Sequence, residues 1–284
     1  MDRKLIDKIQ DFSFVLPSLL IFSFVIIAPF IRGIGIAFTD WNGINETYNF
    51  VGLKNFFSMF KDTELLKAFN NTTYFTVVTV VCVNIFGLML ALALNNSFKG
   101  SDLIKTFIFM PMVVSLVLTS YMWVNVFNDF GTNVFGIRSP LSSAKTVMSG
   151  LCIMSIWKET GLAMVIYYAT LKTIPKDMLE AAQIDGANVI QRFTKITVPF
   201  LAPAFTYCIP LWIGLGLKQF DYSFVATNGG PGRSSQSIAM YIYQYEFPYY
   251  KTGYAQMVSV VYLIFVLIIT YFVTSFLRRK EIEQ

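Results

Sequence analysis

The sequence predicts an all-α integral membrane protein with six spanning helices. Three observations predict it: 55% of the 284 residues are hydrophobic, only 14% are charged, and the apolar residues gather into six long runs. An ordinary soluble domain carries roughly 25% charged residues, and a bilayer core takes roughly 20 mostly apolar residues of helix. The runs lie at about 14–36, 72–94, 104–127, 148–171, 198–217 and 257–277. Residues 1–284 are therefore expected to form a single transmembrane domain.

The first run invites comparison with a secretory signal, but it exceeds a signal's apolar core and no small-residue cleavage site follows, so it is expected to stay as a span. An even number of spans puts both termini on one side of the membrane. With the termini inside, the inner segments hold Arg3, Lys4, Lys8, Lys99, Lys105, Lys172, Lys176, Arg192, Lys195, Arg278, Arg279 and Lys280, about twelve basic residues against about eight in the longer outer loops. Both termini and the segment 172–197 are thus expected to be cytoplasmic, and the loops 37–71, 128–147 and 218–256 to lie outside. The formal net charge of +5 reflects this orientation and not a nucleic-acid surface, since the basic residues sit between apolar runs.

Composition also excludes chemistry. The chain has no histidine, which removes the commonest general base and zinc ligand. Cys82, Cys152 and Cys208 lie far apart inside apolar runs and read as small core residues, not as a metal or redox set. No phosphate loop of the form GxxxxGK[ST] occurs, so any use of ATP must come from a partner.

One segment departs from the oily background: EAAQIDGANVIQRFTKITVP, from Glu180 to Pro199. Pro175 suits the first turn of a helix, and Asp177 and Glu180 suit its positive end. At 100° per residue, Ile174, Met178, Leu179, Ala181 and Ala182 share one broad face, with Lys176, Asp177, Glu180 and Gln183 opposite. Gly186 after Asp185 is expected to end this helix in the left-handed conformation, and a second short helix should follow over about 188–196. Such a knob could rest on lipid headgroups, but Ala181 and Ala182 bury little and favour close approach by another protein. In the last outer loop, TNGGPGRSS from Thr227 predicts a tight turn. Beyond it Tyr241, Tyr243, Tyr245, Tyr249 and Tyr250 have the character of interfacial anchors.

The spacing EAA, three residues, G, nine residues, I-x-[LV]-P resembles the EAA loop of ABC-importer membrane subunits, and it is met by Glu180, Ala181, Ala182, Gly186, Ile196, Val198 and Pro199. IPKDMLEAAQIDGA, FTDWNG at Phe38, FVGLKNF at Phe50 and TNGGPG at Thr227 are similar to the carbohydrate branch, in particular to the first permease of maltose- and glycerol-phosphate-type systems. The resemblance implies a type I importer with a MetI-like fold. It implies a second homologous permease, a cytoplasmic ATPase dimer that binds ATP and magnesium, and an extracytoplasmic solute-binding protein. No cofactor is expected on this chain, and membrane lipid and a sugar are its implied small partners. It further implies that Glu180, Ala181, Ala182, Asp185, Gly186, Ala187 and Pro199 form the coupling contact, in the cytoplasmic membrane of a bacterium or archaeon.

Intramembrane polar residues mark cavities or helix contacts; here they are Asn84, Ser115, Thr119, Ser155, Lys158 and Glu159, with Gln219 and Asp221 just beyond the fifth run. Lys158 and Glu159 are adjacent and point about 100° apart, so they do not simply pair. In maltose-type relatives, solute contacts fall on the helices before and after the EAA loop. Aligned through Trp157–Lys158 and the TNGGP turn, those positions become Ser155, Glu159, Trp212, Gly216 and Gln219. Pro199, Pro203 and Pro210 suit a broken fifth helix lining a path. The competing reading is a self-contained secondary transporter or channel with Lys158, Glu159 and Asp221 as an ion relay; an ATPase socket at the EAA spacing would have no use there. A hydrolase lacks any nucleophile–base arrangement.

Overall fold

The computed structural model describes residues 3–96 and 98–281, with side chains from residue 12 onward except at positions 130 and 135. The side chains of Arg3, Lys4 and Lys8, on which the orientation partly rests, lie outside the described part. The described chain is helical, with one antiparallel bridge between Thr39 and Phe50. Its helices are α1 (Arg3–Phe22), α2 (Ala28–Ala37), α3 (Lys54–Met59), α4 (Thr63–Ala93), α5 (Ser101–Val113), α6 (Leu116–Asn125), α7 (Gly131–Phe135), α8 (Val147–Leu171), α9 (Lys176–Ile184), α10 (Val189–Arg192), α11 (Val198–Phe200), α12 (Ala202–Leu217), α13 (Asp221–Thr227), α14 (Ile238–Glu246) and α15 (Thr252–Arg278).

Four helices are each long and apolar enough to cross a membrane: Phe12–Ala37, Thr63–Ala93, Val147–Leu171 and Thr252–Arg278. The other two expected spans are present as broken pairs. Ser101–Val113 meets Leu116–Val134 at 102°, and Val189–Phe200 meets Ala202–Leu217 at 65°. Prolines around the break at Leu201 account for the second bend, as the sequence leads one to expect; Pro210 sits inside α12 without breaking it. The first bend follows Pro111, whose ring removes a backbone donor. Val114 is extended there, and the Ser115 hydroxyl restarts the helix by accepting from the Leu118 amide at 3.2 Å.

The residues form two compact units. In the first, Met1–Asp62 with Ile242–Leu263, the motifs FTDWNG and FVGLKNF hold each other. The Val51 amide donates to the Phe38 carbonyl at 2.8 Å, and Asn55 Nδ2 donates to the carbonyls of Ala37 and Thr39, closing the end of α2. Gly253 presses on the same turn, for a Cβ there would stand 2.1 Å from the Thr39 carbonyl oxygen.

In the second unit, Thr63–Tyr241 with Ile264–Gln284, α8 is the centre, packed on α4, α5 and α12. Small residues allow it: a Cβ at Gly161 would lie 2.4 Å from the Ile108 carbonyl oxygen of α5, and one at Gly87 of α4 would lie 2.4 Å from the Ala163 Cβ. More than half of the apolar window of α8 is buried. One apolar cluster runs from Leu94, Leu171 and Leu201 up to Trp212; another gathers Phe75, Leu151, Met154 and Tyr222.

The turn after α13 is tight, with Asn228, Gly229, Gly232 and Arg233 all at positive φ. It is stapled to α4 by an Arg233–Glu64 ion pair and by the Ile238 amide donating to Thr72 Oγ1 at 2.9 Å. Tyr241 is fully buried, which corrects the expectation that it anchors at the lipid interface. The reason is that 238–246 is a helix, so Tyr241, Tyr243 and Tyr245 do not share one side. Tyr249 and Tyr250 are exposed.

Candidate functional site

Two places collect the residues singled out by the sequence. The first is the corner between α9 and α10. Gly186 has φ +81°, its amide donates to the Gln183 carbonyl at 3.1 Å, and the Ala187 amide donates to the Ala182 carbonyl at 2.9 Å. These two bonds are the paired closure of a Schellman motif, in which glycine occupies the left-handed position and the residue four before it meets the residue one after it. The spacing from Ala182 to Gly186 and Ala187 is thereby a geometric requirement. Asn188 then opens α10 with a capping box: its side chain accepts from the Gln191 amide, and Gln191 accepts from the Asn188 amide, both at 2.9 Å. Arg192 Nη1 donates to Gln183 Oε1 at 3.0 Å across the corner.

Ile174, Leu179, Ile196 and Phe200 join this knob to the apolar cluster of α8 and α12. Glu180, Ala181, Asp185 and Gly186 are exposed; Ala182, Ala187 and Pro199 are half-buried. The expected shared face therefore divides, because Met178 and Ala181 point outward while Leu179 and Ala182 point in. Pro175 stands at the N-cap of α9, one residue ahead of its first turn. The sequence reading missed the apolar tip. Ile184 is 87% exposed, with Val189 and Ile190 exposed beside it. An apolar residue placed against a glycine corner, where no apolar run begins, was the available signal.

The second place is a cavity of about 190 Å³ between the two apolar clusters. Ser155, Glu159, Trp212, Gly216 and Gln219 all line it, with Phe75, Thr79, Leu116 and Tyr222. It lies against the middle of α8, roughly 18 Å from that helix's start at 1.5 Å per residue. Trp212 Nε1 donates to Glu159 Oε2 at 3.4 Å. Gln219 braces α13, donating to Ser223 Oγ at 2.9 Å and accepting from the Ser223 amide at 3.4 Å. Gly216 admits close packing of α12 on α4, since a Cβ there would lie 2.8 Å from Thr76 Oγ1.

Lys158 does not face this cavity. Its ammonium donates to the carbonyls of Pro111 at 3.4 Å, Met112 at 2.8 Å and Val114. The break in the third span leaves these carbonyls short of helical donors, Pro111 keeping the Val114 amide at 3.2 Å, and in a membrane such acceptors must be satisfied internally. The lysine closes the break, and its neighbour Glu159 turns to Trp212. Asn84, Ser115 and Thr119 are likewise bound within the helices. The Tyr167 hydroxyl donates to Asn84 Oδ1, Ser115 caps α6, and Thr119 Oγ1 donates to the Ser115 carbonyl at 2.9 Å. Asp221, in the first turn of α13, does line the cavity.

Comparison with known proteins follows the same lines. Residues 83–282 match the family described as "Binding-protein-dependent transport system inner membrane component". The chain is 33% identical over 277 residues to the probable starch degradation products transport system permease protein AmyD of Thermoanaerobacterium thermosulfurigenes, covering 95% of this chain and 94% of that one. It is 28% identical over 288 residues to the multiple sugar-binding transport system permease protein MsmF of Streptococcus mutans serotype c, covering 99% of each. A solved bacterial ABC transporter involved in the import of the acidic polysaccharide alginate has a chain that superposes with a TM-score of 0.83 at 21% identity, over 98% of this chain and 99% of that one. That likeness shows the fold.

Proposed function

The chain belongs to the family of binding-protein-dependent transport system inner membrane components, the non-enzymatic permease subunits of ABC transporters, and on that premise we propose that it carries a sugar or oligosaccharide into the cell. Residues 1–284 act as one permease domain, and 172–197 is its coupling loop. Both termini and that loop are cytoplasmic, in accord with the basic residues on that side. A second homologous permease completes the path. A cytoplasmic ATPase dimer supplies ATP and magnesium chemistry, and an extracytoplasmic binding protein delivers the solute.

The observation that carries this reading is the Schellman corner. It presents Glu180, Asp185 and the apolar tip at Ile184, Val189 and Ile190 on a knob packed into the core of α8 and α12. Movement imposed on the knob is passed to the helices that line the cavity as a rigid-body shift. Ser155, Glu159, Trp212, Gly216 and Gln219 are proposed as the solute path, where an aromatic face and hydroxyl-directed polar groups suit a saccharide. The saccharide class also accords with the names of AmyD, for starch degradation products, and MsmF, for multiple sugars.

An ion relay through Lys158, Glu159 and Asp221 finds no support in this arrangement, because the lysine is occupied by backbone carbonyls away from the cavity. The test is uptake in proteoliposomes holding this chain with its partner permease, ATPases and binding protein. Saccharide uptake that needs both ATP and the binding protein is expected. Uptake driven by an ion gradient with no ATPase present would overturn the reading.

A further inference from the structure

The second unit carries another concave surface, apart from the solute cavity. It is a groove of about 560 Å³ lined by Phe86, Met89 and Leu90 of α4, Ile104 and Phe107 of α5, and Trp157 of α8. All of these except Leu90 are exposed, Met89 and Phe107 to 60% each, so the groove opens sideways from the spanning helices. The contacts of Gly87 with Ala163 and of Gly161 with Ile108 fix its level against α8. Helix α4 runs alongside α8 in the same direction, Tyr74 meeting Ser149 and Lys172 meeting Asn95; α5 runs the opposite way, Pro111 meeting Lys158 and Lys105 meeting Tyr168. Leu90 and Ile104 therefore stand within a turn of Tyr168 along α8.

At that end two ammonium groups close on one ring. Lys105 Nζ stands 4.1 Å from the Tyr168 ring centroid and donates to its hydroxyl at 2.8 Å; Lys172 Nζ stands 5.1 Å from the same centroid and donates to the Asn95 carbonyl at 2.6 Å. One carboxylate stands against the two, Asp102, which bonds Lys105 at 2.9 Å from a side chain 95% exposed. Like charges held this close repel, and an anion beside them relieves the repulsion. The end of an apolar groove thus carries one positive charge in excess.

We infer that this groove and its two lysines form a site for one anionic phospholipid, with the phosphate at Lys105 and Lys172 and an acyl chain running past Leu90, Ile104 and Phe107 toward Trp157. Basic pockets between spanning helices on the cytoplasmic side are suited to anionic headgroups. A free phosphate would match the charge and leave the groove empty; an apolar helix would match the groove and leave the charge. The lipid answers both. The site is independent of the solute, and only its place in the cytoplasmic leaflet rests on the orientation proposed above. The groove extends to Pro111, so the chain packs against the break of the third span.

The experiment is native mass spectrometry of the full, delipidated complex titrated with phosphatidylglycerol or phosphatidylcholine, with thermal midpoints taken in parallel. Wild type is expected to hold phosphatidylglycerol more tightly than phosphatidylcholine and to gain midpoint with it. Affinity for one phosphatidylglycerol should fall about fivefold in Lys105→Gln or Lys172→Gln and about 25-fold in the double variant, at about one lysine's worth of headgroup attraction each, while phosphatidylcholine binding stays level. The double Lys105→Arg, Lys172→Arg variant keeps both charges and should hold the lipid, which separates loss of the site from loss of the fold. Glycerol phosphate, a headgroup without chains, should leave the midpoint unchanged. Equal retention of the two lipids, wild-type phosphatidylglycerol affinity in the double Gln variant, or a midpoint gain from glycerol phosphate alone overturns the inference. So does a Phe107→Cys variant that crosslinks to the partner permease in the membrane, since a protein helix then fills the groove.

Discussion

The corner at 184–190 and the cavity beside α8 are built on opposite plans. Every bond that shapes the corner joins residues at most nine apart, from Ala182–Ala187 to Gln183–Arg192, and its functional side chains are mostly exposed. The cavity assembles residues from α4, α6, α8, α12 and α13, and most of its polar groups are buried. The corner can therefore be altered without touching the core, and the cavity cannot. A part that must meet a separate protein is made locally and held out; a part that must meet a solute inside a bilayer is made by packing.

That contrast is open to direct attack. The largest effect is expected from Gly186→Pro, since proline fixes φ near −65° and removes the amide that closes the corner, whereas Gly186 sits at +81°. Transport should fall more than about 100-fold while the membrane level and thermal midpoint of the complex stay near wild type, because the bonds lost are confined to an exposed corner outside the apolar core. Glu180→Lys should behave alike. A midpoint that collapses with transport would show that the corner is part of the core after all.

Lys158→Met reverses the pattern. It removes the ammonium from the carbonyls of Met112 and Val114, and from that of Pro111, which keeps the Val114 amide, so stability should drop by about 1–3 kcal/mol, read as a lower midpoint in detergent. Lys158→Arg, which keeps donors and charge, should recover most of the loss. An unchanged Met variant would show that the broken third span holds itself.

At Glu159 the expected effect is smaller and falls on turnover. Glu159→Leu should cut uptake about tenfold, the equivalent of about 1.4 kcal/mol, and Glu159→Gln less, since the amide still accepts from Trp212 Nε1. If Glu159→Leu and Trp212→Ala both transport normally, these residues only pack helices.

The smallest effect is expected at Asp40, which is shaped locally as the corner is. The Asn49 amide donates to its carboxylate at 2.7 Å and Asn49 Nδ2 at 3.3 Å, and these bonds hold its pKa below the ordinary value of 3.8. A depressed carboxylate stabilises the fold above its unfolded pKa and loses that contribution as pH falls through the folded one. Asp40→Asn should thus leave transport unchanged, lower the midpoint slightly at pH 5–8, where the carboxylate contributes, and converge with wild type below about pH 4 as that contribution is lost. A midpoint difference that persists undiminished below about pH 4, or a loss of transport, would assign Asp40 another role.

The resemblance motifs divide along the same line. FTDWNG and FVGLKNF look from the sequence like family signatures; in the fold they are two sides of one turn, locked through Asn55 and the Thr39–Phe50 bridge. TNGGPGRSS reads correctly as a tight turn because positive φ is a local demand. The tyrosines after it do not read correctly at Tyr241, because burial depends on what the helix packs against.

By itself the sequence determined the membrane class, the number of apolar runs, and the knob with its glycine corner. Each follows from run length, periodicity or a spacing of a few residues, physics that acts between neighbours along the chain. Only the tertiary structure decided what the intramembrane polar groups do. Lys158 finds Val114 across 44 positions and Tyr167 finds Asn84 across 83, while Glu159, adjacent to Lys158, turns toward Trp212. A buried polar group takes whatever partner packing brings within about 3 Å, and no pattern along the chain records which partner that is.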